Sequence, residues 1–122
     1  MKKATYETGI NGEDIAERYL EQIGMTLLER RHREKSGEID LIMEENEAIV
    51  FIEVKARFSD PVAGNGLKAV NHAKQKRIAK SATLYLMKHG WLSRSIRFDV
   101  VEVNRNGVLH IRNAFQPGGM IF

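Results

Sequence analysis

The sequence predicts an α/β fold in which a mixed central sheet is flanked by helices. Its 122 residues are enough for one hydrophobic core but not for two, so we expect a single domain over residues 1–122. Two segments carry apolar residues at helical spacing, and five shorter segments have the composition of strands. Their order along the chain is α-β-β-β-α-β-β, which favours a mixed sheet with helices packed against it.

The first helix is predicted to begin at Asn11, because asparagine side chains cap the free N–H groups of helix N-termini. Asp14 then lies in the first turn, apolar residues follow at helical spacing, and Gly24 ends the helix. Residues 26–33 are predicted as the first strand.

Residues 38–44 and 48–55 are predicted as the second and third strands, joined by a tight polar turn at Asn46 and Glu47. A loop that contains glycine and proline follows at residues 59–66. The hairpin that the two strands form is the most informative segment of the chain.

A second helix is predicted over residues 71–89, and Gly90 follows its last turn. Its inner stripe consists of Ile78, Ala82, Tyr85 and Leu86. Residues 95–103 and 108–112 are predicted as the last two strands, with a turn at residues 104–107 between them.

The composition excludes several classes of protein and site. The chain has no cysteine, so disulfides and thiolate metal sites are excluded, and any metal must bind oxygen or imidazole ligands. The first residues lack the apolar stretch of a signal peptide, and no apolar run approaches the length of a membrane span. We therefore expect a cytoplasmic protein with no membrane contact.

The net charge of +3 is small, but the charges are unevenly distributed. Acidic residues concentrate in residues 13–21 and 38–53, and basic clusters lie on either side of the second group. This pattern suits a polyanion that approaches a cation-binding centre, although an ordinary mixed surface explains it equally well. The basic residues that we expect to contact nucleic acid are Arg31, Arg33, Arg57, Lys74, Lys76, Arg77 and Lys80.

A tight turn between the second and third strands fixes which of their residues face each other. Asp40 then lies opposite Glu53, and Glu38 lies opposite Lys55, all on one face of the hairpin. The opposite face is wholly apolar and must be buried; it consists of Ile39, Leu41, Met43, Val50, Ile52 and Val54. A turn with an odd number of residues would break this register.

The charged face has the chemistry of a hydrolytic metal site. Like charges directly opposite each other are destabilising, so Asp40 and Glu53 require either a proton or a cation between them. A divalent ion that prefers oxygen ligands, such as Mg²⁺, removes the conflict. Such an ion polarises a phosphoryl oxygen and activates water, while Lys55 orients that water or stabilises charge developing on the phosphate. A solvated face with ordinary Glu38–Lys55 pairing accounts for the pattern equally well.

The ordered motifs of the chain resemble those of a known superfamily. The segment from Gly37 to Ile42, followed by that from Phe51 to Lys55, resembles the PD-(D/E)xK nucleases. More closely, nearly the whole chain is similar to the YraN family of small bacterial endonuclease-like proteins. The further matching positions are Gly9, Glu13, Ala16, Leu20, Lys74, Gln75, Arg77, Ile78, the strand that begins at Arg97, and residues 113–115.

This resemblance implies a restriction endonuclease-like core akin to that of archaeal Holliday junction resolvases. It assigns Asp40 and Glu53 as ligands of Mg²⁺ or Mn²⁺, Lys55 as the catalytic lysine, and Glu13 as a first-helix carboxylate near the metal. Helical spacing with Ala16 and Leu20 also turns Glu13 inward, and the alternative is a first-turn acid favoured by the helix dipole. The supporting residues are Glu38, from the charged face, and Gln75, from the second helix. Arg31 stands where the family usually has asparagine.

Other polar and aromatic residues are predicted to be structural. Asp99 lies between apolar neighbours and is expected to pair with Arg97 on the same face of its strand. The four histidines have no metal-binding spacing, so we interpret them as surface or structural residues. Trp91 and Phe58 have the chemistry to stack on a splayed base, but loop aromatics more often cover the core.

The function that the sequence predicts is metal-dependent cleavage of DNA. By analogy with the resolvases, branched or otherwise structured DNA is the expected substrate, and such activity calls for a homodimer. Two alternatives stay open: a non-catalytic nucleic-acid-binding module or partner-dependent subunit, and a protein-interaction domain with a vestigial site. The presence of Glu13, Asp40, Glu53 and Lys55 together argues against a vestigial site.

Overall fold

The computed structural model describes residues 4–58 and 70–117, so the loop predicted at residues 59–66 lies outside the described residues. The elements are α1 (Ala4–Gln22), β1 (Thr26–Glu34), β2 (Gly37–Glu45), β3 (Ala48–Arg57), α2 (His72–His89), β4 (Ile96–Asn104) and β5 (Gly107–Ile111). Their order confirms the predicted fold class. Among the described residues, no helix combines the length and apolar character that crossing a membrane requires.

The five strands form one mixed sheet in the order β1-β2-β3-β4-β5. Neighbouring strands are antiparallel except β3 and β4, which are parallel. Parallel neighbours need a long crossover connection, and α2 lies within the one that joins β3 to β4. This crossover brings the beginning of α2 back to the sheet.

One helix covers each face of the sheet, so the core has two apolar layers. The layer on the α1 side consists of Ala16, Leu20, Met25, Leu41, Met43, Val50, Ile52, Val101 and Val103. The layer on the α2 side consists of Ile39, Ile42, Ile49, Phe51, Val70, Ile78, Ala79, Ala82, Tyr85, Leu86, Phe98, Val100 and Phe115. Burial of these side chains is the main term that stabilises the fold.

Helix α1 is longer than predicted, and the prediction that Asn11 caps it is wrong. The helix begins at Ala4, which places Asn11 in its interior. The next residue, Gly12, lies so close to β3 that a Cβ atom added there would be 3.1 Å from that of Ala56. The Asn-Gly pair therefore marks a close approach of helix to strand, where tertiary packing overrides weak helix propensity.

Helix α2 agrees with its prediction. The side chain of Asn71 accepts a hydrogen bond from the backbone N–H of Lys74 and so caps the first turn. Gly90 ends the helix in the left-handed conformation, at φ 69°. The predicted inner stripe is buried. Ser81 donates a hydrogen bond to the carbonyl of Gly37, which ties the β1–β2 turn to this helix.

Candidate functional site

The hairpin of β2 and β3 has the predicted register near its turn. Leu41 pairs with Ile52, and the pairing continues to the turn. Asn46 and Glu47 have φ values of 49° and 73°, as a two-residue type I′ turn requires. An even-length turn fixes the alternation of faces, so Ile42 and Phe51 lie on the α2 side, as expected for facing residues.

The pairing of β2 with its neighbours is interrupted at Asp40, which is the first predicted metal ligand on this hairpin. The pairing of β1 with β2 passes from Arg30–Leu41 to His32–Ile39 and skips Arg31, whose φ is 52°. Ile39 packs on the α2 side of the sheet, whereas Leu41 packs on the α1 side. The prediction that these two residues share a face is therefore wrong, because the break at Asp40 shifts the alternation by one residue.

Asp40 reaches β3 through its side chain rather than through the ladder. Its Oδ2 atom accepts a hydrogen bond of 2.8 Å from the backbone N–H of Val54. The described β2–β3 pairs end at Leu41 and Ile52, so Asp40 and Glu53 are not ladder partners. Their carboxyl groups nevertheless lie close enough to share a hydrogen bond when one is protonated. The predicted convergence of the two acids therefore holds.

The surroundings of Asp40 disfavour its negative charge. Burial, followed by the neighbouring carboxylate of Glu53, raises the pKa of Asp40 to about 7. The carboxylate of Glu13 acts in the same direction, and the N–H of Val54 opposes it only in part. A strongly shifted carboxyl beside a second carboxyl is typical of a functional site.

Glu53 is held by two lysines from different elements. Its side chain is 6% exposed, and its Oε2 atom lies 3.2 Å from Nζ of Lys55 and 2.5 Å from Nζ of Lys74. Lys55 was predicted here as the catalytic lysine, whereas Lys74 was predicted only as a phosphate contact. The Asn71 cap places Lys74 in the first turn of α2, beside the acid pair.

The two lysines respond differently to this environment. Burial, together with the neighbouring Lys74, lowers the pKa of Lys55. Burial also lowers the pKa of Lys74, but its contacts with Glu53 and Lys55 outweigh that effect, and its net pKa is raised. Lys55 is therefore the amine that more readily gives up a proton.

Glu13 faces β1 from the first helix. Its carboxylate lies 2.8 Å from Nε of Arg31 and 3.4 Å from Arg30, and its side chain is only 17% exposed. Within residues 4–58 and 70–117, no group of three carboxylates or imidazoles is arranged to hold a metal. Asp40 and Glu53 are two neighbouring oxygen donors, and Mg²⁺ is commonly bound by one or two carboxylates plus substrate phosphates. A ligand role for Glu13 stays a prediction.

The two residues predicted to support the site have other contacts. Glu38 does not face Lys55, because the β2–β3 pairing ends before it; it lies at the exposed start of β2, 3.7 Å from Arg33. The side-chain amide of Gln75 donates a hydrogen bond of 2.9 Å to the carbonyl of Val70. Gln75 therefore anchors the chain that leads into α2, beside Lys74.

The predicted nucleic-acid contacts fall into three groups. Arg31 is bound to Glu13 and Lys74 to Glu53, while Arg57 is half-buried, with an Nε atom that has no hydrogen-bond partner among the described residues. The exposed residues are Arg33, Lys76, Arg77 and Lys80. The β1–β2 turn lies against α2 near Arg77, since a Cβ at Gly37 would be 3.8 Å from that of Arg77.

The remaining predictions concern residues outside this cluster. Asp99 is bound by Arg97, as predicted, at 2.9 Å and 3.0 Å. His110 is 4% exposed and lies 2.7 Å from Asp99, which confirms its structural interpretation. Trp91 packs against the core and contacts His89 and the guanidinium of Arg94, so it covers the core rather than offering a free ring.

Two polar residues near the site, Glu102 and Asn104, were not predicted from the sequence to lie there. Glu102 is fully buried and lies beside Lys55 in the β3–β4 register. It accepts a hydrogen bond of 2.6 Å from Asn104. The signal was present, because an acid between valines on a central strand is rarely buried without partners.

Comparison with known proteins shows one consistent family. Residues 12–103 match the sequence profile of the Uncharacterised protein family UPF0102, which includes YraN. The UPF0102 protein of Persephonella marina is 39% identical over 107 residues, covering 88% of this chain and 91% of its own length. The UPF0102 protein of Clostridium kluyveri is 41% identical over 122 residues, covering 95% and 99%.

The comparison with solved structures gives a match of low similarity. SfsA of Pyrococcus furiosus, determined in complex with Ca²⁺, superposes with a TM-score of 0.39 and 13% sequence identity. The match covers 88% of this chain and 63% of SfsA. The fold assignment rests on the order and pairing of the strands themselves.

Proposed function

The chain belongs to the UPF0102 family, and we propose that it is a metal-dependent endonuclease that hydrolyses phosphodiester bonds in DNA. The observation that carries this proposal is the pairing of Asp40 with Glu53. The carboxyl of half-buried Asp40 lies beside that of buried Glu53, the pKa of Asp40 is raised to about 7, and a lysine lies beside Glu53. The surroundings of Asp40 disfavour its negative charge, and Mg²⁺ or Mn²⁺ bound at the pair would stabilise that charge.

Each residue of the site has a distinct role in this proposal. A divalent ion bound by Asp40 and Glu53 supplies Lewis acidity toward the phosphate and lowers the pKa of bound water. Lys55 donates a hydrogen bond to negative charge that develops on the phosphate, or orients the attacking water. The N–H of Val54 fixes the carboxyl of Asp40, so the site is organised before substrate arrives.

The charges around the site favour a polyanionic substrate. Arg33, Lys76, Arg77 and Lys80 are exposed; Arg33 lies on β1, just before the β1–β2 turn, and the other three lie on α2, which packs against that turn. Exposed lysines and arginines bind phosphates without regard to base sequence and position the backbone. We propose structured DNA, such as a four-way junction, as the first substrate to examine, with a homodimer placing one site on each of two strands.

Cleavage of labelled DNA tests the proposal. The full chain is incubated with a four-way junction, a flap, a duplex and a single strand, and with an RNA strand, in Mg²⁺, Mn²⁺ or EDTA. We expect metal-dependent cleavage that falls by about 100-fold or more in Asp40→Ala and in Lys55→Ala. Glu47→Ala removes an exposed acid at the turn end of the same hairpin and is expected to retain activity.

Two results would contradict the proposal. Cleavage that survives Asp40→Ala would assign the activity to a different site or to a contaminant. DNA binding without cleavage in either metal would favour the non-catalytic nucleic-acid-binding module.

A further inference from the structure

Two lysines share one oxygen atom of Glu53. Nζ of Lys74 lies 2.5 Å from Oε2, and Nζ of Lys55 lies 3.2 Å from the same atom. Glu53 is 6% exposed, so little solvent screens these charges. A carboxylate proposed as a metal ligand is thus already bound by two ammonium groups.

The two lysines differ in how they are tied to Glu53. Lys55 follows Glu53 by two positions on β3, so the same strand carries both side chains on one face. Lys74 comes from α2, where the Asn71 cap fixes its backbone but leaves its four-carbon side chain free to turn. The side chain of Lys74 is 30% exposed, so its ammonium group can move toward solvent.

A divalent ion on Glu53 has to compete with Lys74. Cations a few ångströms apart repel strongly where solvent is scarce, so a metal and two ammonium groups on one carboxylate are unfavourable. Loss of Lys74 from Glu53 relieves the repulsion, but its ammonium then needs another anion. A phosphate of the substrate is such an anion, and it lies by necessity next to the metal.

We propose that Lys74 is a positioning residue that holds Glu53 in the metal-free protein and transfers to a DNA phosphate when a divalent ion binds. The inference rests on the proposed function and adds a coupling between metal binding and DNA binding. Metal and DNA strengthen each other's binding, because each favours the state in which Lys74 has left Glu53. The free protein therefore binds metal weakly, and a site lacking Lys74 binds it more tightly.

Titration with Mn²⁺ alone tests this coupling. Free Mn²⁺ is measured by electron paramagnetic resonance for the full wild-type chain and for Lys74→Gln, Lys74→Arg and Lys88→Gln. We expect Lys74→Gln to bind Mn²⁺ roughly tenfold more tightly or better than wild type, because one competing charge is gone. Lys74→Arg keeps the charge and remains near wild type. Lys88→Gln removes a charge from the far end of α2 and is the matched control.

A second titration adds a short DNA duplex, with the duplex alone as a blank. DNA is expected to tighten Mn²⁺ binding to wild type and to tighten it much less in Lys74→Gln. Thermal melting of Lys74→Gln close to that of wild type establishes that the variant is folded.

The outcomes separate this inference from the proposed function. Equal or weaker Mn²⁺ binding by Lys74→Gln, or no Mn²⁺ binding by any free variant, overturns the role of Lys74. If wild type still cleaves DNA in an Asp40-dependent manner, the endonuclease proposal stands alone. If cleavage and Mn²⁺ binding are both absent, both proposals fail.

Discussion

Two aspartates on the strands that flank β3 have opposite electrostatic environments. Asp99 on β4 is fully buried, and burial alone would raise its pKa, but hydrogen bonds from His110, Arg97 and the backbone of Asn113 lower it overall. Asp40 on β2 accepts one backbone hydrogen bond and lies beside Glu53, and its pKa is raised to about 7. The fold thus stabilises the negative charge of Asp99 and disfavours the negative charge of Asp40.

The difference separates a structural acid from the acid that we propose as a metal ligand. The charge of Asp99 is matched by donors from its own strand, from β5 and from the segment after β5, so it needs nothing from outside. The charge of Asp40 lacks such donors at neutral pH. Strongly shifted groups such as Asp40 cluster at functional sites, where a ligand supplies the charge that the fold does not.

The largest expected effect comes from removing the satisfied acid. Asp99→Ala leaves Arg97 and His110 without their buried partner and is expected to lower the free energy of unfolding by about 3–5 kcal/mol. Urea denaturation at neutral pH measures it. Asp40→Ala, measured beside it, should cost far less, because it removes a charge that the fold disfavours. Equal losses in both variants would remove the distinction between the two acids.

A smaller change in the free energy of unfolding, a gain instead of a loss, is expected for Asp40→Asn. Asp40→Asn keeps an oxygen for the N–H of Val54 and removes the repulsion from Glu53. We expect it to raise the free energy of unfolding at pH 8 by on the order of 2–4 kcal/mol. The same variant should lose metal-dependent cleavage, so stability and activity move in opposite directions.

The pH dependence of that gain follows from the direction of the pKa shift. Between the ordinary value of 3.8 and about 7, folded Asp40 retains a proton that the unfolded chain has released. The wild-type protein therefore loses stability from this group as pH rises through that window, and asparagine does not. The gain of Asp40→Asn should be full above about pH 7 and absent below about pH 4. A gain that does not change between pH 4 and pH 8 would show that it has another cause.

The smallest change in the free energy of unfolding is expected for His110→Gln, which tests how Asp99 is stabilised. His110→Gln removes one donor from Asp99 and the contact with the hydroxyl of Tyr19, while Arg97 remains bound to Asp99. We expect a loss of about 1–2 kcal/mol in the free energy of unfolding and unchanged cleavage per folded molecule. His89→Gln, an exposed histidine at the end of α2, is the control. A specific loss of cleavage in His110→Gln would connect the Asp99 cluster to catalysis.

Local sequence signals predicted most of the elements correctly. The two-residue turn at Asn46 and Glu47 and the caps of α2 at Asn71 and Gly90 depend on residues a few positions apart, which any reader of the sequence can see. The start of α1 was wrong because Asn11 and Gly12 carry a local breaking signal that packing against Ala56 overrides. Local propensity is a weak guide wherever a tertiary contact competes with it.

At the charged end of the hairpin, the sequence likewise predicted some features correctly and others wrongly. Alternation predicted that Asp40, Glu53 and Lys55 would converge, and they do. It failed for Ile39, and for Glu38 opposite Lys55, because the ladder breaks at Asp40 and Arg31. Alternation holds only while the strand itself stays regular, and an irregular residue such as Asp40 reverses the face of the residues beyond it.

The sequence by itself determined the order of the elements and the register of the hairpin near its turn, and it predicted that two acids and a lysine converge. Only the tertiary structure decided that Lys74 binds Glu53, that Arg31 binds Glu13, and that Asp99 is neutralised where Asp40 is not. The reason is physical. Periodicity and turn chemistry act between residues a few positions apart, whereas a pKa depends on every charge within a few ångströms, whichever element carries it.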